Sequence, residues 1–146
     1  MIYLTDIKYG WASLNVGYCN FQVSYLTDLV GEIDYLLDLD ENKDEIDCKK
    51  SYFEGEGQGD LTLISYLTYE DISDDKERQF GYVINIVWQR LFCGEQEGNS
   101  FALLKFPYQK LKEEWKNHKK EIKDNYIKNF ICPQDEEEYK EALENY

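Results

Sequence analysis

The stretch FGYVINIVW, residues 80 to 88, sets the hardest condition on how this chain can fold. Alternation puts Phe80, Tyr82, Ile84, Ile86 and Trp88 on one face of a strand. The other face carries Gly81 and Asn85 but also Val83 and Val87, so it too is partly covered. The chain therefore has to build a sheet around this segment.

Other segments supply its neighbours. WASLNVGYCNFQVSYL, residues 11 to 26, shows the same period of two with a slip of one residue near Cys19 and Asn20, which predicts a bulge or a tight turn. Further strands are expected at 51–56, 60–69 and 100–106, with a turn at 73–78 and a hairpin-like connection at 93–99. Between the first strands and the rest, TDLVGEIDYLLDL reads as a helix, with Thr27 or Ser24 as its cap and Leu29, Ile33, Leu36 and Leu37 as its apolar stripe. Residues 38 to 50 read as a polar loop.

From Pro107 onward the period changes from two to that of a helix. Tyr108, Leu111, Trp115, Ile122, Tyr126 and Phe130 share one side of a long amphipathic helix that Cys132-Pro133 ends. A short acidic helix follows, with Tyr139, Ala142 and Leu143 able to dock. The order of elements predicts an α+β fold. One domain spans residues 1–146, with a single largely antiparallel sheet of about five strands and one helix in residues 1–106, and the C-terminal helices in 107–146.

Charge narrows the function. Sixteen Lys+Arg against thirty Asp+Glu give a net charge of −14, which repels the phosphates of nucleic acid and of anionic membranes. The acids are not spread evenly: residues 28–77 carry a net −13, residues 105–128 a net +4 and residues 133–146 a net −5. Such segregation favours a basic protein partner, unless the lysine-rich helix packs beside the acids and neutralises part of their field. No signal peptide or membrane-spanning apolar run is visible, and four cysteines at 19, 48, 93 and 132 without a CxxC pair predict free, mostly buried thiols in a reducing cytoplasm, with a disulfide between two of them in an exported protein as the alternative.

Sites for small ligands fare poorly. SYFEGEGQGDLTLISY has glycines at 55, 57 and 59, but Asp60 stands where a dinucleotide loop needs its third glycine, and a strand rather than a helix follows. Alternating glycines with Glu54, Glu56 and Asp60 opposite them read as a strand approached closely by its neighbours, or as a carboxylate ladder facing a basic partner. DLDENKDEIDCK imitates a calcium loop through Asp38, Asp40, Asn42 and Asp44, yet lysines occupy the positions of the turn glycine and the bidentate glutamate. The lone histidine, His118, reads as a boundary residue of its helix, with no nucleophile signalled beside it. No cofactor, metal or catalytic residue is expected.

VSYLTDLVGEIDYLLDL, YFEGEGQGDLTLISYL and YVINIVWQ together resemble a family of small uncharacterised bacterial proteins with a SYLSD-type helix start and an acid-and-glycine strand. The resemblance spans roughly residues 11–90 and implies a fold pattern and a bacterial origin, not an activity. In general character the chain is also similar to the immunity proteins of bacterial toxin systems. The expectation is a non-enzymatic, immunity-like binding protein that offers Glu54, Glu56, Asp60, Asp38, Asp40 and Asp44 to a basic surface, with Trp11 as an aromatic anchor. Self-assembly into a homo-oligomer through an uncovered sheet face or edge is the alternative, and an enzyme with carboxylate chemistry stands third.

Overall fold

The computed structural model describes residues 1–42, 47–55, 59–70, 79–92 and 95–146. Strands β1 (Ile2–Lys8), β2 (Trp11–Val16) and β3 (Cys19–Ser24) form one antiparallel sheet in the order β1-β2-β3. Helix α1 (Leu29–Leu37) leads to β4 (Cys48–Glu54), β5 (Gly59–Glu70), β6 (Gln79–Phe92) and β7 (Glu95–Pro107), which form a second antiparallel sheet in sequential order. Helix α2 (Tyr108–Tyr126) runs on through a π-helical turn, Ile127–Ile131, and α3 (Glu136–Asn145) closes the chain.

The α+β class and the antiparallel pairing are as expected, but there are two sheets, of three and four strands, in place of one sheet of about five. Strand β1 was not expected. Its alternation breaks at Asp6, whose φ of 50° marks a register shift between Thr5 and Lys8. The slip near Cys19 is a turn: Val16 pairs with Cys19 across Gly17-Tyr18. At the other hairpin Tyr9 and Gly10 both have positive φ, 54° and 77°, the combination of a type I′ turn. Strand β4 starts three residues earlier than expected, inside the predicted polar loop, and β7 starts at Glu95 within the predicted connection. The predicted turn at 73–78 lies outside the described residues.

Both sheets bury their inner faces in one core. Ala12, Leu14, Val16, Phe21 and Val23 meet Leu61, Leu63, Tyr82, Ile84 and Ile86, and Phe21 packs edge-on against Trp88 with ring centroids 5.5 Å apart. Both α1 and α2 lie over this same inner side: Ser65 and Tyr82 on it donate to the Leu36 carbonyl of α1 at 2.9 and 3.3 Å, and Tyr82 stacks on Tyr108 of α2.

Three buried tyrosines fix the helices. At the end of α1, the Tyr108 hydroxyl donates to the Leu37 carbonyl at 2.6 Å and accepts from the Leu39 N–H at 2.9 Å. At its start, the Tyr126 hydroxyl accepts from the Val30 N–H at 3.4 Å. Midway, Trp115 Nε1 and Lys119 Nζ both donate to Asp34, at 2.8 and 2.7 Å. Helix α2 therefore lies antiparallel to α1, with Tyr82 and Tyr108 stacked almost parallel at 5.8 Å. The cap of α1 is Asp28, whose carboxylate accepts from Gly31, in place of Thr27 or Ser24. Those two hydroxyls are occupied elsewhere: Thr27 accepts from the Glu54 N–H and Ser24 donates to the Glu54 carbonyl, which ties β3 to the end of β4.

His118 Nε2 sits 2.9 Å from the N–H of Leu4 on β1, an edge strand, so the imidazole answers an edge group that no strand pairs.

Replacing Tyr108 by Phe leaves the Leu37 carbonyl and the Leu39 N–H buried without their partner. Urea unfolding of Tyr108→Phe is expected to show a loss of about 1–3 kcal/mol, whereas Tyr66→Phe, on the half-exposed outer face, changes stability by less than about 0.5 kcal/mol.

Candidate functional site

The sequence-predicted residues fall into two groups at opposite ends of α1. Asp38 and Asp40 follow its last turn. Trp11, Glu54 and Asp60 gather near its first: Trp11 pairs with Ser24, Ser24 bonds the Glu54 carbonyl, and Glu54 pairs with Asp60. About 14 Å of helix separates the two groups. Glu56 and Asp44 lie outside the described residues.

Asp38 and Asp40 line an open recess of about 560 Å³ with Glu41, Asn42 and Asp47. Lysines answer much of that charge. Lys49 pairs with Asp38 at 3.3 Å, and Lys112 of α2 approaches Glu41 at 3.8 Å. The calcium-like spacing is spent locally, with the Asp40 carboxylate accepting from Asn42 N–H and Asp47 accepting from Asp40 N–H, at 2.8 and 2.9 Å. Among the described residues no group of three or more His, Cys, Asp or Glu side chains is arranged to hold a metal ion.

A second concavity, about 530 Å³, opens between the first turn of α1 and α3. Sequence reasoning did not single it out. Asp28 and Asp34 come from α1, Glu138 and Glu141 from α3, and the floor is Tyr126, Ile131, Cys132 and Tyr146. The chain reaches it because Cys132, at φ 56°, turns out of the π-helical turn, and the Asp135 carboxylate then caps α3 by accepting from the N–H groups of Glu137 and Glu138. Tyr146 folds back to donate to the Lys119 carbonyl at 2.8 Å and packs on Tyr126. Of the four carboxylates, only Asp34 is ion-paired among the described residues, to Lys119 at 2.7 Å. Burial pushes both tyrosine hydroxyls well above the ordinary phenol range, so the floor is uncharged at neutral pH.

The sequence signal for this groove was present but weak. The acids of residues 133–146 were visible as a charge run, while their juxtaposition with Asp28 and Asp34 depends on the left-handed Cys132, which no periodicity announces.

The glycine run is structural where it is described. A side-chain carbon on Gly55 would stand 2.5 Å from the Gly59 carbonyl oxygen and 3.3 Å from that of Gln22, so backbone closes on it from two sides. Beside it the Tyr52 hydroxyl is pushed up to about 12, first by its hydrogen bond to Asp60, then by burial and by the charges of Asp60 and Glu54.

The expectation of mostly buried thiols needs correcting: Cys48 and Cys132 are exposed and Cys19 is half-buried, while Cys93 is outside the described residues. Both exposed cysteines sit where the backbone leaves the core, at the start of β4 and at the bend before α3. Among the described residues no helix is long and apolar enough to cross a membrane.

No protein-family model, curated protein or solved structure matches the chain.

Two measurements check this geometry. Gly55→Ala forces backbone apart and is expected to cost about 1–3 kcal/mol in a thermal or urea melt. In a difference titration of the wild type against Tyr52→Phe, Tyr52 is expected to ionise near pH 12, and Asp60→Asn brings that midpoint down toward the ordinary value of about 10. Because the folded value is raised, the contribution of this hydrogen bond to stability is complete below pH ~10 and is lost as the pH climbs through about 12.

Proposed function

We propose that this protein is a non-enzymatic binding protein whose acidic groove, between the start of α1 and α3, receives basic side chains of a partner protein. The observation that carries the reading is the convergence of Asp28, Asp34, Glu138 and Glu141 on an uncharged tyrosine floor, with a lysine answering only one of them among the described residues. Carboxylates at the rim attract a lysine or arginine over a distance. The half-buried ring of Tyr146 then packs against its stem once water is displaced. Trp11 and Glu54, close to the same end of α1, extend the contact surface, and Asp38 and Asp40 continue the negative field along the helix at reduced strength. An inhibitor of the immunity kind, occupying a basic surface on another protein, fits this arrangement.

The test uses an arginine- and lysine-rich decapeptide and a neutral peptide of equal length, titrated into the full chain by calorimetry. The basic peptide is expected to bind with an affinity that falls as salt rises, and the neutral peptide not to bind. Glu138→Lys with Glu141→Lys weakens binding at least tenfold, equivalent to about 1.4 kcal/mol, while Asp40→Lys, in the lysine-matched recess, weakens it about threefold or less. Equal losses from the two variants would remove the groove from the proposal.

A further inference from the structure

The four-stranded sheet has a second face, and among the described residues no helix or strand lies on it. The pairing register assigns that face: Cys48, Lys50, Tyr52 and Glu54 on β4 stand beside Tyr66, Ile64, Thr62 and Asp60 on β5. These in turn stand beside Val83, Asn85, Val87 and Gln89 on β6, and those beside Lys105, Leu103, Phe101 and Asn99 on β7. The centre is apolar, made of the half-buried Ile64, Tyr66 and Val87 and the exposed Phe101 and Leu103, around Val83, which is already buried. Phe101 is 74% exposed and Leu103 61% exposed, which leaves two large side chains in water side by side on one strand. A contiguous patch of this kind marks a surface that another molecule covers.

We propose that a second copy of this chain covers it, the two sheets packing face to face about a twofold axis. Charge selects that occupant. The protein carries −14 overall, yet the described charged side chains of this face are two lysines, Lys50 and Lys105, against two acids, Glu54 and Asp60, so its described part carries no net charge. A basic partner finds nothing to attract it here, whereas two copies meet on the surface where their mutual repulsion is least concentrated. Area agrees. Four strands about 4.8 Å apart and seven residues long at ~3.3 Å each cover roughly 450 Å². A symmetric pair then covers about 900 Å² in projection, before side-chain relief is added, close to the ~1,000 Å² of a specific interface. An aromatic and branched-aliphatic centre ringed by Asn85, Thr62, Gln89 and Asn99 has the apolar-core, polar-rim layout of such interfaces.

Two exposed cysteines report on the pairing. Cys48 lies on the proposed interface and Cys132 in the groove on the helical side, so each controls for the other.

The experiment is sedimentation equilibrium of the full chain from about 1 to about 200 µM, the range in which an interface of modest affinity dissociates, at low and high salt. A dimer is expected whose population grows with concentration and also with salt, because salt screens the repulsion between two acidic copies. This is opposite in sign to the salt response of the groove and its peptide, so the two proposals fail separately. Phe101→Lys with Leu103→Glu is expected to weaken dimerisation at least tenfold, with circular dichroism confirming the fold. Should that variant not fold, alkylation of the wild type decides: maleimide labelling of Cys48 slows as concentration rises, and labelling of Cys132 does not. A monomer throughout, a dimer that the folded variant leaves intact, or protection of Cys132 in place of Cys48 would overturn the assignment.

Discussion

Helix α1 has nine residues, too few to persist on its own in water, and its terminal amides and carbonyls need partners that its own sequence does not fully supply. Tyrosine hydroxyls from other elements provide them. Tyr126 meets its first turn, while Tyr82 and Tyr108 meet its last carbonyls and the N–H beyond them. Each of these phenols is itself buried and each is held above the ordinary phenol range, with burial the largest cause. Neither side can be satisfied without the other, since a buried hydroxyl without a partner and a buried helix end without a cap are both costly. The two tyrosines at the ends of α2 therefore fix its direction against α1.

That direction determines where charge survives. With α2 antiparallel to α1, Lys119 reaches Asp34 and Lys112 reaches Glu41, so two lysines of the long helix answer acids on α1 and just beyond it. The negative charge at the start of residues 28–77 is thereby partly offset. Past Tyr126 the lysines thin out and the chain turns at Cys132 into the acidic α3, which faces the first turn of α1. In the groove, α2 answers Asp34 alone among the described residues.

The sequence carried local structure well and juxtaposition poorly. The long helix was legible because Tyr108, Leu111, Trp115, Tyr126 and Phe130 repeat with one period, and all are buried. Strand β6 was legible from strict alternation. What periodicity could not say is that β3 and β4 would part into separate sheets. Nor could it say that the two sheets would be tied there by Ser24 and Thr27, two short hydroxyls that read as helix caps but hold the backbone of Glu54. Strand β1 was hidden by one residue, Asp6, whose positive φ shifts the alternation. The acids of the predicted site were visible as composition, whereas a lysine that answers the recess around Asp38 and Asp40 arrives from about seventy residues away, as Lys112 does at Glu41. Pairing at that separation leaves no trace in either local pattern.

The same sheet also explains why an uncovered surface would be used face-on. Its edges are guarded: β7 carries Lys105 and ends in Pro107, which has no N–H to give, and β4 carries Lys49 and Lys50. A register shift between Arg90 and Leu91 further distorts the β6–β7 ladder near its far end. Lysines and a proline oppose the addition of a strand, yet nothing comparable interrupts the middle of the outer face, where Ile64, Val87, Phe101 and Leu103 stand in adjoining positions of the register. A sheet protected only against growth would spread such charges inward as well. Charge confined to the rim, around an apolar centre, is the distribution that forbids extension and permits closure between two faces.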